Sequence, residues 1–513
     1  MYLRMAETKK SIEEINERIE DGSVHVVTAD RMSEIVTELG AEEAAKEVDV
    51  VTTGTFGPMC SSGAFINLGH ADPPIRMQRV WLNDVEAYTG IAAVDAYIGA
   101  TQLSEAEGLD YGGGYVIEDL VAGKQIDVKA LSSGTDCYPR KELETTITLE
   151  DLNQAVMLNP RNAFQRHEVA INSADRALYT YMGTLLPNSR NANYCGAGTL
   201  SPISNDPDFE TIGIGTKIFL CGAQGHIVGM GTQHEPISRF GTLMVSGNLK
   251  EMSQEYIRGA TIYRYGVTLY VGIGIPIPVL NARIAAKTGV QDADLTTEVI
   301  DFSVPRRERP VMREVTYEEL KSGVIEIEGK EVPTSPLSSF YMANKVAEAL
   351  KREIKGGEFF LTLPVERLPT DTVCKPMKQT KELPPVKDVM IREVATISES
   401  ASIADAAKLM MESQFTHIPV ISEEGILEGI VTAWDISTAV AMRHEGLAEI
   451  MTRNVITADS EEPLELVIRK LEQYNISALP VIDRDQRVIG MITSDGISRL
   501  IGKDRRWQWK LRI

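Results

Sequence analysis

No long hydrophobic run interrupts this chain of 513 residues: nothing approaches the ~18 consecutive apolar residues that a membrane-spanning helix requires. The opening stretch 1–10 has no signal-peptide core either, so a cytoplasmic location is expected. Cysteine is scarce. The five present, Cys60, Cys137, Cys195, Cys221 and Cys374, are an odd set, widely spaced and without C-x-x-C. That excludes a zinc ribbon or an iron–sulfur ligand run within the chain and argues against a secreted disulfide framework. Positive charge is in deficit. With 52 Lys plus Arg against 73 Asp plus Glu the formal net charge is −21, which repels phosphate backbones and anionic lipid. Nucleotide fingerprints are missing too: the glycines of 213–231 do not fit a G-x-G-x-x-G opening a helix, and Tyr111-Gly-Gly-Gly114 lacks the lysine and hydroxyl of a P-loop. No tightly bound cofactor is expected, and any electrons must come from a partner or a diffusible donor.

What is present is the balance of a soluble globular protein, 43% hydrophobic and 24% charged residues, in a chain long enough for two to four domains. Ser11-Ile-Glu-Glu14 is a capping-box pattern that starts a short charged helix. A β-branched strand at 24–27, a helix carrying Met32, Ile35, Val36 and Leu39 on one face, and a strand at 48–51 follow in the alternation of an α/β fold. Helices are expected over 149–157, 172–181, 279–287 and 339–354, close-packed strands over 213–231, and a strand over 266–278. The fold class is therefore α/β (mixed α+β) over residues 1–367, followed by a Pro-punctuated linker at 368–385, in which Cys374 reads as an idle exposed thiol.

Two loops carry thiols in polar settings. In Leu131-Ser-Ser-Gly-Thr-Asp-Cys137-Tyr-Pro-Arg-Lys-Glu142, Gly134 lets the backbone bend, Pro139 stiffens the exit, and Arg140 and Lys141 favour thiolate, while Asp136 opposes them unless paired. In Thr52-Thr-Gly-Thr-Phe-Gly-Pro-Met-Cys60-Ser-Ser-Gly63 a strand hands over to a glycine- and hydroxyl-rich loop, where α/β folds collect ligands. A small residue packed in a turn is the alternative for either thiol. If both face one pocket, one can carry sulfur and the other resolve it. Between them, Arg76 and Arg79, with Arg140 behind Cys137, are candidates to grip a substrate carboxylate, and His70 and Asp72 are possible proton carriers. Cys195 is a weaker site candidate, and Cys221, inside an apolar run, reads as core.

After the linker the chain repeats itself. Lys387-Asp-Val-Met390 matches Ala448-Glu-Ile-Met451, His417-Ile-Pro-Val420 matches Ala478-Leu-Pro-Val481, and Gly429-Ile-Val-Thr432 matches Gly490-Met-Ile-Thr493, always 61 residues apart. These residues resemble a tandem cystathionine-β-synthase (CBS) pair of βαββα units, here 386–444 and 447–503, with a basic, aromatic tail at 504–513 that suits a docking helix. The resemblance implies an adenosyl-ligand sensor, S-adenosylmethionine or methylthioadenosine being the expected ligand, and a homodimer formed through these domains. In that family a Gly-h-h-Thr-x-x-Asp run, h being apolar, places Thr on the phosphate or its equivalent and Asp on the ribose. Thr432 and Asp435 satisfy it; Thr493 and Asp495 depart from it, the second Asp coming one place early, which favours one good site.

The first 365 or so residues, with Gly-Thr-Phe-Gly-Pro-Met-Cys60 and Gly-Thr-Asp-Cys137-Tyr-Pro-Arg, resemble the archaeal and anaerobe homocysteine-biosynthesis family. The resemblance implies a sulfur-transferring enzyme of methionine synthesis. Cys137 would take sulfane sulfur as a persulfide, and Cys60 would resolve or relay it. Sulfur would pass to the aldehyde carbon of L-aspartate 4-semialdehyde, and electrons from a ferredoxin-like iron–sulfur protein would reduce the product to L-homocysteine. Two other readings stay open: a non-enzymatic adenosine-sensing regulator, and a thiol-dependent enzyme resembling inosine-monophosphate dehydrogenase. The second is weakened by the lack of an eightfold strand–helix pattern.

Overall fold

The structure, a computed structural model, describes residues 9–164, 167–305, 309–377, 384–444, 446–483 and 485–503. The chain divides into two compact units, Met1–Ser303 with Glu308–Lys375, and Val304–Arg307 with Pro376–Ile513. The first is a mixed α/β body and the second the tandem repeat; the tail at 504–513 lies outside the described residues. No helix among the described residues is long and apolar enough to cross a membrane.

The first unit is built on a nine-stranded sheet ordered Ile257–Ile262, Gly266–Gly274, Lys217–Leu220, Ala223–Met230, Thr242–Asn248, Gln154–Phe164, Gly63–Asn67, Asp95–Gly99, with Thr55–Pro58 pairing onto Gly266–Gly274 off that path. Gly266–Gly274 buries nearly every side chain, as a strand covered on both faces must. Helix Gly113–Val121 lies on this sheet, and its glycines are there for contact. A Cβ on Gly113 would stand 1.9 Å from the Gly99 carbonyl oxygen, and one on Gly114 2.4 Å from that of Thr268. The run that superficially resembled a phosphate loop is thus a helix N-terminus pressed backbone-to-backbone onto two strands. A six-stranded sheet containing Arg79–Leu82, Ile126–Leu131 and Glu142–Ile147 carries the Cys137 loop. Another, containing Thr296–Asp301, Val169–Ile171 and Ala192–Tyr194, carries Cys195 just past the end of its interior strand Ala192–Tyr194.

Helix Ile12–Asp21 has the expected capping box between Ser11 and Glu14, and helix Phe340–Lys355 buries Val346, Leu350 and Ile354. Two expected helices are absent. Residues 154–164 form a strand paired antiparallel on both sides, with Ala155 and Met157 buried in alternation, a period of two that long-range pairing enforces. Residues 172–181 hold bends and the strand Leu178–Thr180. Cys374 is half-buried, not idle and exposed: its N–H donates to Glu235 Oε1 at 2.9 Å, and the nearby Pro369 carbonyl oxygen lies 2.9 Å from His234 Nε2. Residues 369–374 therefore pack on the first unit.

The two repeats fold alike. Strand His417–Ile421 pairs with Leu427–Thr432 as Ala478–Ile482 pairs with Val488–Thr493, each with a bulge at the matching place. Ile391 bridges Met491 as Thr452 bridges Ile430, so the lead-in of each repeat docks on the last strand of the other. Gly490 leaves room for Met390 and Gly429 for Met451, a Cβ there meeting sulfur at 2.6 and 2.8 Å.

Gly114→Ala is expected to destabilise the protein by about 1–3 kcal/mol through overpacking against the Thr268 backbone. Denaturant titration of the full chain tests this, and an unchanged midpoint would refute the close approach.

Candidate functional site

Cys60 stands half-buried in the turn between strands Thr55–Pro58 and Gly63–Asn67, its Sγ 3.4 Å from Thr268 Oγ1. The turn is bracketed from beneath. Ser61 Oγ lies 3.0 Å from both Asn159 Oδ1 and the Arg161 carbonyl oxygen, and Asn159 Nδ2 donates to Ser62 Oγ at 2.8 Å. Asn159 is fully buried, so these bonds are strongly held.

Close enough to Cys60 to feel its charge is a thiol that the sequence ranked low. Cys195 is buried, sharing an apolar cluster with Met182 and Phe302 against which Tyr181 packs. Burial pushes its thiol up to about 11; the Gly196 N–H and Ser338 hydroxyl work against this, and a charge on Cys60 adds to it. Cys60 also bears electrostatically on Tyr265 and Tyr270, both raised chiefly by burial. Cys195 lines a narrow cavity of about 30 Å³ with Thr55, Phe56, Gly57, His167 and Ser338, room for one or two water-sized molecules. Thr55 Oγ1, buried there, has no hydrogen-bond partner. The signal available beforehand was the glycine-flanked loop Tyr194-Cys195-Gly196-Ala-Gly198, read too lightly for lack of nearby cations.

Cys137 is exposed, its Sγ 3.6 Å from Thr135 Oγ1, on the loop between strands Ile126–Leu131 and Glu142–Ile147. That loop is clamped to the segment 70–78. Arg140 donates from Nε and Nη2 to the Pro73 and Asp72 carbonyl oxygens at 2.9 and 2.6 Å. Gln78 and Ser133 exchange two hydrogen bonds, and His70 stacks on Tyr138 with ring centroids 6.0 Å apart. His70, Asp72 and Arg140 are thus brought to the Cys137 loop. Cys60 is grouped instead with Cys195, and no hydrogen bond joins it to Cys137 among the described residues.

The arginines divide. Arg79 is occupied, its guanidinium forked onto Glu86 at 2.6 and 2.9 Å and stacked 4.3 Å over Trp81. Arg140 serves the loop clamp. Arg76 is exposed.

In the repeat, a pocket of about 420 Å³ is lined by residues of both copies, among them His417, Thr432, Trp434, Asn454, Asn475 and Ser477. Thr432 and Asp435 form a capping box, Asp435 Oδ2 accepting from the Thr432 N–H and hydroxyl at 2.8 and 2.7 Å, which begins helix Ala433–Met442 and gives the motif its spacing. Thr493 instead accepts from the Gly496 N–H at 3.0 Å, and Asp495 is exposed.

Comparison with known proteins gives three findings. The family described as homocysteine biosynthesis enzyme, sulfur-incorporation, matches residues 24–361, and the CBS domain matches 386–442 and 447–503. The chain is similar to the L-aspartate semialdehyde sulfurtransferase of Methanosarcina acetivorans, 57% identical over 96% of this chain and 99% of that one, and to that of Methanocaldococcus jannaschii, 51% identical with the same coverage. It also resembles a solved CBS domain pair in complex with 5′-methylthioadenosine and S-adenosyl-L-methionine, 44% identical, covering 24% of this chain and 98% of that one at a TM-score of 0.23.

The thiols should alkylate in the order of their burial. With iodoacetamide at pH 8, Cys137 is expected to label first and Cys195, about one in a thousand of which is then thiolate, near last, its rate climbing tenfold per pH unit toward pH 11. Peptide mass spectrometry reads the order; native Cys195 labelling as fast as Cys137 at pH 8 would contradict this burial.

Proposed function

Since the chain belongs to the homocysteine biosynthesis, sulfur-incorporation family, we propose that it is a sulfurtransferase that converts L-aspartate 4-semialdehyde to L-homocysteine. The observation that carries the reading is the pair of thiols on built turns, Cys137 open to a donor and Cys60 half-buried over the Asn159 bracket. Cys137 takes up sulfane sulfur as a persulfide, whose terminal sulfur is more acidic and more nucleophilic than a thiol. That sulfur adds to the aldehyde carbon. Once the exposed Cys137 loop reaches Cys60, Cys60 attacks Cys137 Sγ, forming a Cys60–Cys137 disulfide and releasing the geminal hydroxythiol. Loss of water gives the thioaldehyde, and two electrons with two protons reduce it to the thiol. Two further electrons and protons reopen the disulfide. The four electrons are supplied by a ferredoxin-like iron–sulfur protein in the cytoplasm, where thiols stay reduced.

The repeat is the sensor. Its pocket falls within the size range of small-molecule sites. Burial holds His417 below its ordinary value, and the described lining contains neither Lys nor Arg. A phosphorylated nucleotide would find no counter-charge there, whereas methylthioadenosine is uncharged and S-adenosylmethionine brings no phosphate. Thr432 and Asp435 are the contacts expected from the motif, with Thr493 and Asp495 the weaker second pair. Met411, Trp434, Val440 and Met442 leave apolar surface exposed on helices Ile403–Ser413 and Ala433–Met442, which suits homodimer formation through the repeats.

Cys137→Ser is expected to abolish homocysteine formation and to remove a one-sulfur adduct that persulfide leaves on the wild-type Cys137 peptide; Cys60→Ser should lose as much activity or less. A Cys137→Ser protein turning over at the wild-type rate would sink the assignment. In equilibrium dialysis the full chain should retain methylthioadenosine or S-adenosylmethionine over AMP and ATP, and a preference for ATP would count against the neutral pocket.

A further inference from the structure

A small amino-acid aldehyde must have its carboxylate met by a cation, and two of the three arginines that the sequence suggested are engaged elsewhere, Arg79 by Glu86 and Arg140 by the carbonyl oxygens of Asp72 and Pro73. Arg76 is exposed, so its donors are already hydrated and gain little from a carboxylate.

A fourth arginine is placed differently. Arg309, just ahead of strand Val311–Thr316, lays its guanidinium 4.0 Å over the Phe302 ring. Its charge also bears on the Tyr181 hydroxyl. Its Nε is buried without a hydrogen-bond partner. Glu168 bears electrostatically on the same tyrosine. A buried guanidinium N–H left unpaired is destabilising, and a charged acceptor entering the site removes that cost.

The surroundings point to the acceptor. Phe302, Tyr181 and Cys195 belong to one apolar cluster. Tyr181 meets Tyr265 edge-on at 6.4 Å, and Tyr265 is close enough to Cys60 to feel its charge. His167, edge-on to Tyr181 at 6.4 Å, lines the cavity beside Cys195. Arg309 therefore stands against an aromatic wall, Phe302 and Tyr181, that continues through Tyr265 toward Cys60 and through His167 to the cavity beside Cys195.

Resting on the sulfurtransferase reading above, we propose that Arg309 binds the α-carboxylate of the amino-acid aldehyde and so sets which end of the substrate faces the thiols. It is a specificity-determining residue. The aldehyde carbon, remote from the carboxylate, then lies toward Cys60, where the persulfide sulfur carried by Cys137 meets it.

The test is homocysteine formation by the full-length protein with persulfide and reductant, comparing L-aspartate semialdehyde with its α-carboxamide. Wild type should prefer the carboxylate. In Arg309→Gln the ratio of kcat/KM for carboxylate over carboxamide should fall by about 10- to 100-fold, the loss mainly in KM, because only a charge-assisted bond distinguishes the two substrates. Arg309→Lys keeps the charge and loses the fork, so its ratio should fall between the two, and it is read the same way if the glutamine protein does not fold. A general loss of structure lowers both rates and leaves the ratio alone. An unchanged ratio in a variant that still turns over overturns the role of Arg309 while leaving the sulfurtransferase reading standing. A wild type that makes no homocysteine overturns that reading and this proposal with it.

Discussion

The first unit depends on a backbone approach that only glycine permits. Helix Gly113–Val121 enters with its first residues against the carbonyl oxygens of Gly99 and Thr268, so the helix axis, the edge of strand Asp95–Gly99 and the strand Gly266–Gly274 are fixed relative to one another. Thr268 is also the residue whose hydroxyl faces Cys60. The thiol is thereby tied to the most buried strand of the sheet on one side and, through Ser61 and Ser62, to the buried amide of Asn159 on the other. A reactive group held on two rigid elements keeps its position with little conformational entropy left to lose.

The repeat rests on a different constraint, a contact made twice. Met390 and Met451 fill the spaces that Gly490 and Gly429 leave, each reaching from the lead-in of one copy to the last strand of the other. These four positions are among those that revealed the repeat in the sequence, and their pairing explains why a methionine and a distant glycine recur in step. Either copy alone would leave a strand edge and a methionine-sized gap uncovered, so the two fold as mutual covers.

Much of this was legible because it is local. The capping box at Ser11, the amphipathic face of 340–355, the repeat register and the exposed turn at Cys137 are all written within a few residues of one another. What escaped is non-local. Residues 154–164 have a helix-like composition in places, but they are paired on both flanks by strands from far along the chain. Cys195 gains its interest from Cys60, distant in sequence, and Arg309 from Phe302 and Tyr181. Charge counting in a linear window found Arg79 and Arg140 because they stand near a thiol loop, and could not see that Glu86 and two backbone carbonyls already hold them.

The thiols also differ in a way that bears on how sulfur chemistry can share a confined site. Two thiolates side by side in a poorly solvated cleft repel, and the pair cannot both carry charge cheaply. Burial holds Cys195 as a neutral thiol well above physiological pH, and a charge on Cys60 strengthens that tendency. Cys195 is therefore the protonated neighbour of the half-buried Cys60. On the proposal made above, Arg309 is then left to meet a substrate carboxylate rather than the enzyme's own thiols.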